Sequence, residues 1–126
     1  STIAEKLDAI IERLELTSRM KDFYDIYYLS KTFNFDGLKL QEAIIRTLNV
    51  QNTYFDKDTF KHIDELKNNE RMNNQRKKFL ENFNITELSF FAVIRTINDF
   101  CEPVLASIIS DSKWDYKWNS EIGWIK

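Results

Sequence analysis

The chain reads as an all-α domain: one helical bundle of about five to six helices, closed by an extended aromatic C-terminal strap. Three observations predict this class. Apolar residues recur at three- and four-residue spacing through most of the sequence, the signature of helical faces. The 126 residues include only two glycines and one proline, too few for a turn-rich β fold or a Gly-rich phosphate loop. No segment makes a persuasive strand, and no internal repeat or low-complexity stretch divides the chain. With 43% hydrophobic and 14% aromatic residues it can bury a real core, and 126 residues fit a single domain spanning 1–126.

Each element follows from its own pattern. Ile3, Ala4, Leu7, Ile10, Ile11 and Leu14 line one face of a helix over about residues 2–15, and Thr2 with Glu5 suits a capping box. Thr17 or Ser18 caps a second helix over about 18–32. Asn34-Phe-Asp-Gly37 is a turn with Asp36 as N-cap. A third helix follows over about 37–49, with Leu40, Ala43, Ile44, Ile45 and Leu48 on its apolar side. Residues 50–57 read as a loop. A short helix over about 58–67 turns Phe60, Ile63 and Leu66 inward. The polar, basic-leaning segment 67–78 continues as a helix to Phe79, Leu80 and Phe83. Asn84 breaks the pattern and Thr86-Glu87 restarts it. A long helix over about 86–110 then carries Leu88, Phe91, Ile94, Ile97, Cys101, Leu105 and Ile108 on one side, with a kink expected near residues 99–102 because Pro103 lies inside it. The tail, 113–126, has no periodicity but holds Trp114, Tyr116, Trp118 and Trp124, and is expected to lie against the helices as a strap.

Charge and composition exclude several function classes. A net charge of −2 gives no global pull toward nucleic acid or anionic membrane, so any such contact must come from a local patch. One cysteine, Cys101, rules out an intrachain disulfide and fits a reducing cytoplasm. No apolar run approaches the roughly 18 residues of a membrane span, and the N-terminus opens directly into an amphipathic pattern. The chain also lacks an initiator Met, and is expected to be a piece of something longer.

The most informative stretch is Ser18-Arg-Met-Lys-Asp-Phe-Tyr-Asp-Ile-Tyr-Tyr-Leu29. Asp22 and Asp25 share a helix face within a run that is otherwise apolar and aromatic, flanked by Arg19 and Lys21. Burying carboxylates is costly unless they meet cations, donors or a metal. Three readings follow: an internal salt-bridge lattice with Arg19, Lys21 or Lys6; a share in Mg²⁺ coordination; or proton transfer, with one aspartate as general base toward an incoming hydroxyl. Lys6, at the edge of the first helix's apolar face, either snorkels to water or reaches an anionic phosphate. Lys67, Arg71, Arg76, Lys77 and Lys78 form a basic segment opposed only by Glu70: a solvated face, or a contact for an RNA backbone. The sole histidine, His62, has no arginine at the spacing used by HEPN-type ribonucleases and no Cys or His partner for zinc, and reads as a half-exposed packing residue. Cys101 reads as core rather than nucleophile, and the tail tryptophans as anchors, with nucleotide stacking as the alternative.

Taken together, Ala4-Glu-Lys-Leu7, then Arg19-Met-Lys-Asp-Phe-Tyr-Asp-Ile26, then Phe35-Asp-Gly37 before a helix resemble the C-terminal half of the AbiEii/AbiGii-type nucleotidyltransferase toxins. A helix ending in Phe100-x-x-Pro103 and a Trp-containing tail are also similar, so the resemblance covers nearly the whole chain. It implies a bacterial toxin–antitoxin or phage-abortive protein that transfers a nucleotide from an NTP, in some members to the acceptor end of tRNA. Lys6 would match the lysine that steadies the triphosphate. Asp22 would be the carboxylate nearest the chemistry, assisting the acceptor hydroxyl, and Asp25, Arg19 and Lys21 would orient it. Implied partners are the N-terminal nucleotidyltransferase core, a cognate antitoxin and an RNA acceptor, with no membrane; implied ligands of the full-length protein are Mg²⁺ and NTP.

The sequence departs from that family pattern in one respect: it has no Gly-Ser loop and no Asp-x-Asp strand, the parts that hold nucleotide and metal. Phosphoryl transfer depends on positioning and charge neutralisation, so these 126 residues alone are expected to be inactive, to bind no metal, and to expose a face through which two copies pair. The alternative is a helical protein- or RNA-binding module in which the Asp/Arg/Lys lattice is purely structural.

Overall fold

The computed structural model describes residues 2–13, 20–65, 70–83 and 90–126. Six helices appear among them: α1 (Thr2–Arg13), α2 (Met20–Thr32), α3 (Gly37–Gln51), α4 (Thr59–Glu65), α5 (Glu70–Phe83) and α6 (Phe90–Ile109). The domain is mostly helical, as the periodicity predicts. Leu14, the Thr17/Ser18 cap, Leu66 and the restart at Thr86, Glu87 and Leu88 lie outside the described residues, as do the side chains of Leu80 and Phe83.

The core forms where the apolar stripes meet. Helix α1 buries Ile3, Leu7 and Ile10 against α2 and α3, and α6 runs behind α2, α3 and α4. The buried face of α6 comprises Val93, Ile94, Ile97, Phe100, Cys101, Val104 and Leu105. Phe91 is not on it: at 53% exposed it faces out, because at 100° per residue it lies about a third of a turn from the centre of that face. Ile45 is likewise exposed, one position past the Leu40–Ile44–Leu48 stripe. Asp36 caps α3 as predicted, its carboxylate accepting from the Leu38 N–H at 3.0 Å. The helix ends at Asn52, which adopts the left-handed conformation common at this position.

The tail is more ordered than a simple strap. Residues Lys117–Asn119 (β2) and Gly123–Ile125 (β3) form a hairpin, and β2 also pairs antiparallel with Phe35–Asp36 (β1), giving the order β1-β2-β3. Strands this short carry no legible alternation, so they escape a periodicity search. Aromatic packing holds the hairpin down. Phe100 on α6 meets Phe35, Trp118 and Trp124 with ring centroids 5.2, 4.7 and 5.8 Å away. The Trp118 indole donates to the Ser30 carbonyl at 2.7 Å and the Trp124 indole to the Phe100 carbonyl at 3.0 Å. Pro103 has no N–H to donate to the Asp99 carbonyl one turn back; the Trp124 indole bonds the next carbonyl, that of Phe100. Buried Gln41 ties α3 to the end of α6, donating to Ser107 Oγ and the Ser112 carbonyl, both at 2.8 Å.

Candidate functional site

Lys6 projects from the first half of α1 toward the start of α2, where Asp22 and Asp25 lie on one side of the helix. The Lys6 ammonium is 2.7 Å from Asp25 Oδ2 and 3.6 Å from Asp22 Oδ1. Lys21, one turn before Asp25, donates to the same Oδ2 at 2.7 Å. The group is graded in depth: Asp22 is 4% exposed, Lys6 and Asp25 are half-buried, and Lys21 reaches into solvent. Lys6 therefore does not simply snorkel to water; it bridges two carboxylates across the α1–α2 seam.

This geometry sets the protonation states. The hydrogen bond from Lys6 to Asp25 raises the lysine above its ordinary value, outweighing partial burial, which acts the other way. Burial pushes the Asp25 carboxyl up, but the Lys21 and Lys6 ammonium groups outweigh it and hold it below the usual carboxylate range. Lys6 stays cationic and Asp25 anionic throughout the neutral range. The cluster thus places a cation between two carboxylates, with Asp22 the most deeply buried member.

Other predicted residues fall elsewhere. Arg19 and Lys67 lie outside the described residues, as does the side chain of Arg76. Arg71, Lys77 and Lys78 are exposed on α5; Arg71 and Lys78, with Glu70 and Asn74, line a shallow concavity of about 450 Å³ separate from the Lys6 cluster. His62 is exposed rather than half-exposed. Cys101 is fully buried, and burial pushes its thiol far up, which suits a core residue. The sequence's one Asp-x-Asp triplet, Asp56-Lys57-Asp58, sits in the loop before α4. Asp56 Oδ1 accepts from the Asp58 N–H at 2.9 Å and Oδ2 from the Tyr54 hydroxyl at 3.1 Å, so this carboxylate shapes a turn. Sequence reasoning missed Asp8, buried on α1 and hydrogen-bonded by the Thr53 hydroxyl; a lone acid near the polar edge of an amphipathic helix gives no signal of burial.

Asp22 and Asp25 share an ammonium ion, and among the described residues no three His, Cys, Asp or Glu side chains converge.

Fold and site together define a helical module that displays a lysine–dicarboxylate cluster at an inter-helix seam. Comparison with protein families matches residues 1–106 to the nucleotidyl transferase AbiEii toxin of type IV toxin–antitoxin systems, and the chain belongs to that family. Membership gives it a toxin–antitoxin nucleotidyltransferase role and an antitoxin as partner. No curated protein and no solved structure matches the chain. Among the described residues no helix is long and apolar enough to cross a membrane.

Proposed function

We propose that this chain supplies the helical half of a nucleotidyltransferase active site, with Lys6 and Asp22 as its catalytic contribution and an RNA hydroxyl as acceptor. The observation that carries the reading is the meeting of Lys6 with Asp22 and Asp25. Two segments that are separate in sequence converge on one half-buried cluster at the seam. In this reading Lys6 donates to the triphosphate of the incoming NTP, where a compact ammonium balances phosphate charge. Asp25 holds the lysine in place and favours its protonated form, and Lys21 donates to the same Asp25 oxygen. Asp22 accepts the proton of the attacking hydroxyl; such a general base contributes typically about 10²- to 10⁴-fold.

Mg²⁺ would neutralise charge on the phosphates in such a reaction, and its ligands are expected from a core carrying the Gly-Ser and Asp-x-Asp residues. The 126 residues alone are accordingly proposed to be inactive.

The ion-pair lattice itself favours a second reading, in which Lys6, Lys21 and Asp25 only clamp α1 to α2. Radiolabelled NTP, the full-length protein and RNA separate the two. Lys6→Ala and Asp22→Ala are expected to abolish RNA labelling and relieve growth arrest. Labelling that persists in both variants, with a lowered melting temperature, would establish the clamp instead.

A further inference from the structure

The aromatic run on α2 is not fully absorbed by the core. Phe23 and Tyr24 are buried, but Tyr28 is 42% exposed. It lies three residues after Asp25 and seven after Lys21, so all three share one stripe of the helix. Its ring is held from two sides: the Tyr27 ring meets it edge-on at 5.4 Å, and Tyr24 lies 6.5 Å away. Tyr24 is itself stacked on Phe79 of α5 at 5.1 Å, which anchors the group. Cations border it. The Lys31 ammonium sits 5.8 Å from the centre of the Tyr27 ring, and Lys21 and Lys6 lie toward the N-terminal end of the stripe.

A positioned, partly exposed ring on the same helix stripe as a lysine–carboxylate cluster suits a flat, apolar group joined to an anion. A nucleobase with its phosphate has that chemistry, and stacking on an aromatic side chain tolerates any base. We propose that Tyr28 is a nucleobase-stacking platform that positions a nucleotide beside Lys6 and Asp22. The inference rests on the proposed function for the identity of its ligand. The base belongs either to the incoming NTP or to the terminal residue of the acceptor RNA, and the two arms of the test distinguish these.

Binding is measured on the full-length protein with Mg²⁺ withheld, so that no catalysis intervenes. Fluorescence anisotropy follows a labelled single-stranded 12-nucleotide RNA, the same oligomer with abasic sugars, and a fluorescent ATP analogue. Stacking of one base predicts that Tyr28→Ala weakens binding of the RNA or of the ATP analogue by roughly 5- to 150-fold and leaves the abasic oligomer unaffected. Tyr28→Phe retains binding, and Tyr28→Leu, apolar but without a π-face, does not. Loss confined to RNA identifies the acceptor base; loss confined to ATP identifies the incoming one. In the full-length enzyme the same assignment appears as a raised KM for that substrate alone. Equal binding by wild type and Tyr28→Ala in both arms overturns the platform, as does an equal loss on the abasic oligomer. Because Lys6→Ala labelling is scored separately, failure here leaves the active-site reading standing, and the two failures are distinguishable.

Discussion

Gly37→Ala sets helix propensity against packing, and the structure decides the sign. Gly37 is the first residue of α3, and alanine in a helix interior is favoured over glycine by up to about 1 kcal/mol. A β-carbon there, however, would lie 2.5 Å from the Tyr116 carbonyl oxygen, 2.7 Å from the Trp114 carbonyl oxygen and 2.8 Å from Trp114 Cδ1. Two of the three are backbone atoms of the tail, which cannot swing aside as a side chain can. The Gly37 N–H also donates to that Tyr116 carbonyl at 2.8 Å. Overpacking costs typically about 1–3 kcal/mol, and loss of one hydrogen bond adds about 1 kcal/mol. After the propensity gain, the net is a destabilisation of about 2 kcal/mol, or a fall in Tm of about 8 °C for a domain of this size. All three tryptophans lie in the tail, so intrinsic tryptophan emission reports its docking directly. Gly37→Ala is expected to show red-shifted native emission as well as a lowered melting temperature. Equal or greater stability with unchanged emission would refute the close packing of the tail on α3.

Three further outcomes are expected. The Asp25 carboxyl is held below its ordinary 3.8, so its stabilisation is present above that value and is lost as pH falls through the folded-state value; the Lys6 contribution is present below 10.5 and is lost as pH rises through its raised value. Thermal melts from acid to alkali should therefore plateau between these limits, and Asp25→Asn should flatten the acid limb. Trp118→Phe removes a buried donor and leaves the Ser30 carbonyl without it; urea unfolding should show a loss of about 1–3 kcal/mol. Cys101 should resist a thiol reagent such as DTNB in the native protein and react fully in urea, and fast native labelling would contradict its burial.

The helices were legible because each carries a three-four apolar stripe wide enough to specify its buried side. The stripes did not settle the rim residues: Phe91 and Ile45 lie just past the buried sector, where hydrophobicity alone is indifferent. The hairpin was illegible for a different reason. Its strands are three residues long, and its position comes from Trp118 and Trp124 seated around Phe100, a contact set that no local pattern encodes. Asp22 and Asp25 could be found as a candidate site because carboxylates in an apolar run demand partners. That Lys6 is the residue bridging them depends on how α1 crosses α2, and spacing left Lys6 free to point elsewhere.

The most direct test of the central claim is Asp22→Asn, an isosteric change, measured for turnover and melting temperature on one preparation of the protein carrying the proposed nucleotidyltransferase core. A catalytic Asp22 gives a fall in kcat of about 100-fold or more with a fold that still melts cooperatively near the wild-type temperature. Wild-type kcat with a melting temperature lowered by several degrees would make the cluster a clamp between α1 and α2 and would contradict the account.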